Sequence, residues 1–419
     1  MDKKTKGAWI VHHTNKLDHV THAPSEFHEI SFAGKCGLLL SSIGQSGESE
    51  LIESQLVALA KAANINVRLE LPEIRRELSR QKLISDTGDG VHILGVSTAS
   101  VLEHTAQIFE ESTPSGTAHA SIEVSELASD LPVDSARAVE YLSDTCKLST
   151  SSASQLVRDS ADIGFVDSEP VSKNSQILFN GNLFRREEGE KLMAISASLQ
   201  AADMSKFQEA NQLLRSQGCL SVNEISRVLG QKLFEKLHAL GVYDVNTVAN
   251  DTGTFSYVTR PAAFSKYSKG SIAEDAFDLA KAFVTSLTYG MTRSNPGRGR
   301  IVMIEKLMRR LIAGNWVGPA TAIGQDYKVL EFRRVVELRS DRAGMFSMRL
   351  LKREVGELAL KVMLEGDISA ESLPNLPGAS IIKYVAPEVE RTTVRKKQSD
   401  VSRRDVAAIL NELRQGKIR

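Results

Sequence analysis

Residues 218–260 read GCLSVNEISRVLGQKLFEKLHALGVYDVNTVANDTGTFSYVTR, and this stretch sets the expectation for the fold. Ser221-Val222-Asn223-Glu224 has the form of a helix-opening box. The Ser221 hydroxyl can accept the backbone N–H near Glu224, and the Glu224 carboxylate can reach back to the start. Val222, Ile225 and Leu229 then share one helical face, and Gly230 permits a tight turn. From Gln231 to Leu240 a second helix is expected, because Leu233, Leu237 and Leu240 recur at i, i+4 and i+7. Gly241 stops it. Val242 to Val245 and Phe255 to Val258 read as strands, and Asn250-Asp251-Thr252-Gly253 reads as the turn between them. Upstream, Met204 to Ser216 reads as a helix that ends at Gly218.

The order over Asp203 to Pro261 is helix, helix, turn, helix, hairpin, and it resembles a winged helix-turn-helix. Two looser copies precede it. In Glu50 to Gly95, Leu51, Leu56, Leu59 and Ala63 are expected to line one helix, and Pro72 to open another carrying Ile74 and Leu78. Leu83-Ile84 and Val91 to Leu94 flank the turn Asp86 to Gly90. In Val133 to Phe184, Ala136, Val139 and Leu142 mark one helix and Leu156, Val157 and Ala161 another. Phe165-Val166 and Ile177 to Phe179 bracket the polar segment Ser168 to Gln176, and the middle helix is poorly defined. The resemblance is generic, carried by the order of elements over about half the chain, without a diagnostic residue motif.

Outside these copies, Ala8 to Val11 and Gly37 to Leu40 read as buried strands, and Val101 to Glu111 as a connecting helix followed by the loop Thr113 to Gly116. Ile272 to Tyr289 and Ile301 to Ile312 are amphipathic helices by spacing. Val329 to Leu338 and Met345 to Leu351 read as a hairpin of basic strands around Ser340 to Gly344, followed by a helix from Val355 to Leu364. Pro374 to Gly378 reads as an exposed turn, Glu388 to Ser402 as a charged mobile segment, and Arg403 to Arg414 as a short helix. The expected organisation is an N-terminal mixed segment (1–47), winged-helix-like units at 48–112, 130–186 and 203–261, a basic C-terminal domain (270–386) and a basic tail (387–419). The expected fold class is α+β and mostly helical, with tandem winged helix-turn-helix-like units and a basic C-terminal α/β-hairpin region.

A chain of 419 residues with 42% hydrophobic and 25% charged residues has the composition of a globular protein of two to four domains. No apolar run approaches the roughly 18 residues a membrane helix needs, and the charged start at Met1 to Lys6 speaks against a secretory leader. Cys36, Cys146 and Cys219 lie far apart without a CxxC pair, which argues against a disulfide scaffold or a zinc finger and for a reducing cytoplasm. The net charge of zero conceals an asymmetry. Glu48 to Glu169 holds 21 acidic against 9 basic residues, whereas Met291 to Arg353 holds 14 basic against 5 acidic. The tail from Arg391 adds 9 basic against 3 acidic. A basic second half is the usual electrostatic footprint for phosphate backbones. The bland account is that the acidic half docks on the basic half, or on another copy.

Candidate contacts follow from that asymmetry. In the third copy, the outer face of the second helix carries Gln231, Lys232, Glu235 and Lys236, and two lysines with a glutamine suit phosphate and base edges. Its wing, Asn246 to Thr254, has no Lys or Arg. In the first copy Arg75, Arg76 and Arg80 stand beside Glu73 and Glu77, a pattern equally suited to surface pairing. Gln155, Arg158, Asp159 and Asp162 of the other copy suit a structural or protein-binding face better. The strongest basic feature is Arg293-Ser294-Asn295-Pro296-Gly297-Arg298-Gly299-Arg300, an open loop with three arginines. It precedes a helix with Arg309 and Arg310, and Arg333, Arg334, Arg339 and Arg349 follow on expected strands. A solvated loop beside an internally paired sheet is the competing account.

His12, His13, His19, His22 and His28 cluster near the start with Asp18, Glu26 and Glu29, but their spacing matches no standard ligand pattern. There is no GxxxxGK[ST] loop, no GxGxxG after a strand and no HExxH, and Gly44-Gln45-Ser46-Gly47-Glu48 misses the GxSxG elbow. The reading is therefore a non-enzymatic, cytoplasmic, prokaryotic protein that contacts double-stranded DNA mainly through phosphates, with no catalytic or metal-ligating residues and no cofactor. It would act as a regulator or as a subunit of a larger replication, transcription or defence complex. The alternatives are an assembly subunit, as a homo-oligomer or with a protein partner, whose winged helices dock protein, and a metal-dependent nuclease or hydrolase using the histidines.

Overall fold

The computed structural model describes residues 1–20, 25–46, 48–94, 96, 100–172, 175–184, 194, 198–250, 253–267, 271–342 and 344–366. The expectations for Pro374 to Gly378, Glu388 to Ser402, Arg403 to Arg414 and the basic tail lie outside the described residues, as does His22. With 61% helix and 16% strand in small antiparallel sheets, the chain is α+β and mostly helical.

Asp2 opens the first helix, α1 (Lys3–Leu17), by accepting the Thr5 backbone N–H at 2.9 Å. α1 packs against α2 (His28–Ser46), and both close on α5 (Val101–Glu111). Glycine makes the crossing possible: a Cβ on Gly7 would lie 2.1 Å from the Leu102 carbonyl oxygen. The strands expected at Ala8 to Val11 and Gly37 to Leu40 are therefore helical. Their burial is as expected, with Trp9, Ile10, Leu39 and Leu40 among the most buried residues. A short apolar run has no period of its own, so a buried strand and a helix packed on several sides look alike in sequence.

From β1 onward one order of elements recurs. β1 (Glu50–Ile52), α3 (Glu53–Ala62), α4 (Leu71–Arg80), β2 (Ile84–Thr87) and β3 (Gly90–Ile93) make the first unit. Leu51, expected in a helix, pairs instead with Val91 across β1 and β3. After α5 and α6 (Gly116–Asp130) come β4 (Val133–Asp134), α7 (Ser135–Cys146), α8 (Thr150–Ile163), β5 (Asp167–Ser172) and β6 (Ser175–Phe179). The third unit follows α9 (Ala201–Gln217) and contains β7 (Leu220–Ser221), α10 (Val222–Leu229), α11 (Gln231–Ala239), β8 (Asp244–Asn250) and β9 (Gly253–Thr259). Its opening box is formed: the Glu224 N–H donates to Ser221 Oγ at 3.3 Å, and the Ser221 N–H donates to Glu224 Oε2 at 3.0 Å. Gly230, at φ +78°, takes the left-handed turn between the helices.

The chain then runs through α12 (Ala262–Ser265), α13 (Ser271–Thr292) and α14 (Ile304–Ile312) into a fourth unit. This comprises β10 (Val317–Ala320), α15 (Thr321–Asp326), α16 (Lys328–Phe332), β11 (Val336–Arg342) and β12 (Met345–Leu350), and α17 (Arg353–Glu365) covers it. Among the described residues every sheet has three strands, with the short first strand paired to the second hairpin strand: β1-β3-β2, β4-β6-β5, β7-β9-β8 and β10-β12-β11.

The fourth unit corrects the expected strand over Val329 to Leu338. Lys328 to Phe332 is helical, and the strand begins at Val336. Ile323, Tyr327 and Leu330 are buried at i, i+4 and i+7, so the helical period crosses the junction of α15 and α16. The run from Val329 mimics a strand because α16 is only five residues long.

The units share their cores. Ile177 and Phe179 of β6 pack in one cluster with Phe207 and Leu214 of α9 and with Ile225 and Leu237 of the third unit. Cys219, Val248 and Tyr257 of the third unit pack with Phe277, Phe283 and Leu287 of α13 and with Met348 and Leu350 of the fourth. Charge also joins them. Glu126 of α6 accepts from Trp9 Nε1 at 2.6 Å and lies 3.3 Å from Lys266 Nζ and from Arg215 Nη2. Burial opposes the charge on Glu126, but Lys266, Trp9 and Arg215 hold its carboxyl below the usual range. Asp130 sits 3.1 Å from Arg215 and 3.7 Å from buried Arg260. Part of the charge asymmetry is therefore neutralised inside the molecule, between an acidic helix of the first half and cations of the second.

Candidate nucleic-acid interface

α14 turns Met308 and Leu311 into the core, which leaves Lys306, Arg309 and Arg310 outward at helical spacing. Arg309 is tied to Glu305, one turn before it, at 2.8 Å. Such an exposed pair contributes only about 0.3–0.5 kcal/mol, so a phosphate can displace it cheaply. Lys306 and Arg310 take part in no ion pair among the described residues.

α16 buries Leu330 and exposes Lys328, Val329, Glu331 and Phe332. Arg333 and Arg334 follow it in the turn to β11, with Arg334 at φ +54°, and both side chains are exposed without an ion pair among the described residues. They lie in this turn and not on strands, where the sequence reading put them. Lys328 and, at the tip of the hairpin, Arg342 are likewise exposed and unpaired among the described residues. Arg339 and Arg349 do lie on strands, and both stand against one aromatic residue: their guanidinium carbons are 4.5 Å and 5.2 Å from the Trp316 ring centre. Arg349 also pairs with Glu337 at 2.6 Å and Arg339 with Asp341 at 3.2 Å.

The arginine loop divides three ways. Arg293 is exposed at the end of α13, 6.0 Å from the Phe255 ring. Arg300 is exposed, and its Nε donates to the Met291 carbonyl at 2.8 Å. Arg298 turns inward. Its Nη2 donates to Asp326 Oδ1 at 3.0 Å and to Gln325 Oε1 at 2.7 Å. The Asp326 side chain is 0% exposed, so Arg298 neutralises a buried carboxylate and pins the loop to the end of α15.

In the third unit, Gln231 donates to Glu235 at 2.6 Å and Lys236 to Ser198 at 3.1 Å. Lys232 is exposed without an ion pair among the described residues. In the first unit the helix cations are largely engaged: Arg75 pairs with Glu53 and Asp86, and Arg80 with Glu77 and Glu111. Arg158 of α8 donates to Gln155, itself bound to Asp159. Arg68, Arg76, Lys82 and Arg137 of the acidic half are also exposed without an ion pair among the described residues, but they stand in a segment with 21 acidic against 9 basic residues, whereas the unpaired cations of α14 and the fourth unit stand in one with 14 basic against 5 acidic.

The sequence reading missed Lys306, Lys328, Arg342, Trp316 and Phe332. The i, i+4, i+7 spacing of Ile323, Tyr327 and Leu330 was the signal that places Lys328 and Phe332 on a helix.

Among the described residues no group of three or more His, Cys, Asp or Glu side chains is placed to hold a metal ion. His13 is buried, with Nε2 3.0 Å from Ser125 Oγ, and burial pushes its imidazole down to about 3. Burial pushes the Cys219 thiol up to about 12, far from a thiolate at neutral pH. All three cysteines are free. Among the described residues no helix is long and apolar enough to cross a membrane. No protein-family model and no curated protein matches the chain.

Proposed function

We propose that this chain is a non-enzymatic DNA-binding protein whose repeated units are winged helix-turn-helix modules, with the fourth unit as its main duplex contact. One observation carries the reading: Lys306, Arg310, Lys328, Arg333, Arg334 and Arg342 are exposed and unpaired among the described residues, the first two on α14, which leads into the fourth unit, and the rest on the second helix, the turn and the hairpin of that unit. Unpaired cations on such elements suit contacts to successive phosphates, which position a protein on a duplex without reading its sequence. Lys232 and Lys236 of α11 add a second, weaker contact. Arg298 supports the surface from within. The protein acts in the cytoplasm, a placement favoured by its free cysteines, as a regulator or as part of a larger DNA-handling complex.

The test is fluorescence anisotropy with a short duplex across a series of salt concentrations. The wild-type protein should lose affinity steeply as salt rises. The double variant Arg333→Ala, Arg334→Ala should bind more weakly and reduce the slope of log affinity against log salt by about 0.9 per lost phosphate contact. Both side chains are exposed, so the fold should persist. Equal binding and an equal slope for wild type and variant would overturn the assignment.

A second reading is an assembly subunit, favoured by the exposure of Val302 and Met303 just before α14 and of Val329 and Phe332 on α16. It predicts a self-associating or partner-binding protein that gives no duplex signal.

A further inference from the structure

Phe332 is the unexplained residue of the fourth unit. Its side chain is 86% exposed, and Val329, one helical turn before it, is 70% exposed. Isolated apolar residues on a surface are ordinary. Here two adjoin on one face of α16, and cations surround them: Lys328 precedes the pair, and Arg333 and Arg334 follow it. Phe and Arg also suit a protein–protein interface, where Lys is depleted; an aromatic ring beside several unpaired cations, Lys328 among them, is the combination that holds a nucleic-acid strand, with the ring on a base and the cations on phosphates.

We infer that Phe332 stacks on an unpaired base, so that the fourth unit engages opened or single-stranded DNA in addition to closed duplex. This rests on the DNA-binding reading and narrows it. In a closed duplex the faces of the bases are covered by their neighbours, and the major groove offers a ring only edges and thymine methyl groups. A ring as exposed as Phe332 gains most where a base face is free. Val329 provides an apolar neighbour on the same side, and Arg333 and Arg334 reach the phosphates that flank the base.

The experiment compares wild type, Phe332→Ala and Phe332→Trp on three probes of the same sequence: a closed duplex, the duplex with a central mismatched bubble, and a single strand. 2-Aminopurine in the bubble reports stacking through its fluorescence. Phe332→Ala should weaken single-strand and bubble binding by roughly five- to a hundredfold, abolish the 2-aminopurine signal and leave closed-duplex affinity within a factor of about two. Phe332→Trp should retain both. If Phe332→Ala binds every probe as wild type does, the stacking assignment fails while duplex binding stands. If wild type binds none of the probes, the DNA-binding reading itself fails. If Phe332→Ala instead reduces the oligomeric state in sedimentation without changing DNA affinity, the patch joins copies of the chain and the inference is overturned.

Discussion

Arg298 separates the two ways of reading the arginine loop, and truncating it gives a quantitative test. As a phosphate contact, Arg298 would matter for affinity and little for stability. The structure places it differently: Nη2 is 3.0 Å from Asp326 Oδ1, and Nη2 and Nε are 2.7 and 3.2 Å from Gln325 Oε1. Arg298→Ala removes these bonds and leaves the fully buried Asp326 carboxylate without its cation. Stranding one member of a buried pair costs about 3–5 kcal/mol. That is a large share of the stability of one small unit, typically about 5–15 kcal/mol. Because the units share cores, the loss should appear first as local opening of the fourth unit. Hydrogen exchange read on peptides spanning residues 317–350, together with a chemical denaturation curve, should show faster exchange there and an earlier midpoint. The double variant Arg298→Gln, Asp326→Asn removes both charges and should recover most of the loss, since a neutral pair carries no stranded charge. An Arg298→Ala protein with unchanged midpoint and exchange but weakened DNA binding would refute the structural role and restore the phosphate-contact reading.

Two further expectations concern the first half of the chain. The imidazole of His13 is held near 3 by burial, against 6.5 in the unfolded chain. Between those values the unfolded state binds more protons, so stability is complete above about 6.5 and falls by up to about 1.4 kcal/mol per unit as pH drops below it. Denaturation midpoints measured from pH 7 down to about 4 should be flatter for His13→Gln than for wild type; equal slopes would show that another group governs the acid response. Gly7→Ala would place a methyl group against the Leu102 carbonyl at the crossing of α1 and α5. An overpacked crossing costs about 1–3 kcal/mol, visible as an earlier denaturation midpoint, and an unchanged midpoint would mean that the two helices separate without penalty.

What the sequence determined by itself was local. The Ser221–Glu224 box, the glycine stop at Gly230 and the leucine spacing of α11 all act within a few residues, where hydrogen-bond reach and helical period leave few choices. The third unit was legible for that reason, and the two looser copies were legible where the same signals recurred. Only the tertiary structure decided the rest. The apolar runs at Ala8 and Gly37 are helical because they pack against α5 and are buried by neighbours far along the chain. The fourth unit emerged only when a five-residue helix, too short to display a period, was set against β11. The candidate interface is the clearest case, since whether an arginine is available to a ligand depends on which carboxylate lies beside it in space. Arg298 and Arg300 are two residues apart, yet one is bound to a buried aspartate and the other faces solvent. Arg215 finds its carboxylates on α6, and Arg333 and Arg334 find none among the described residues. Ion pairing across the fold is set by three-dimensional neighbours, and no pattern along the chain encodes it.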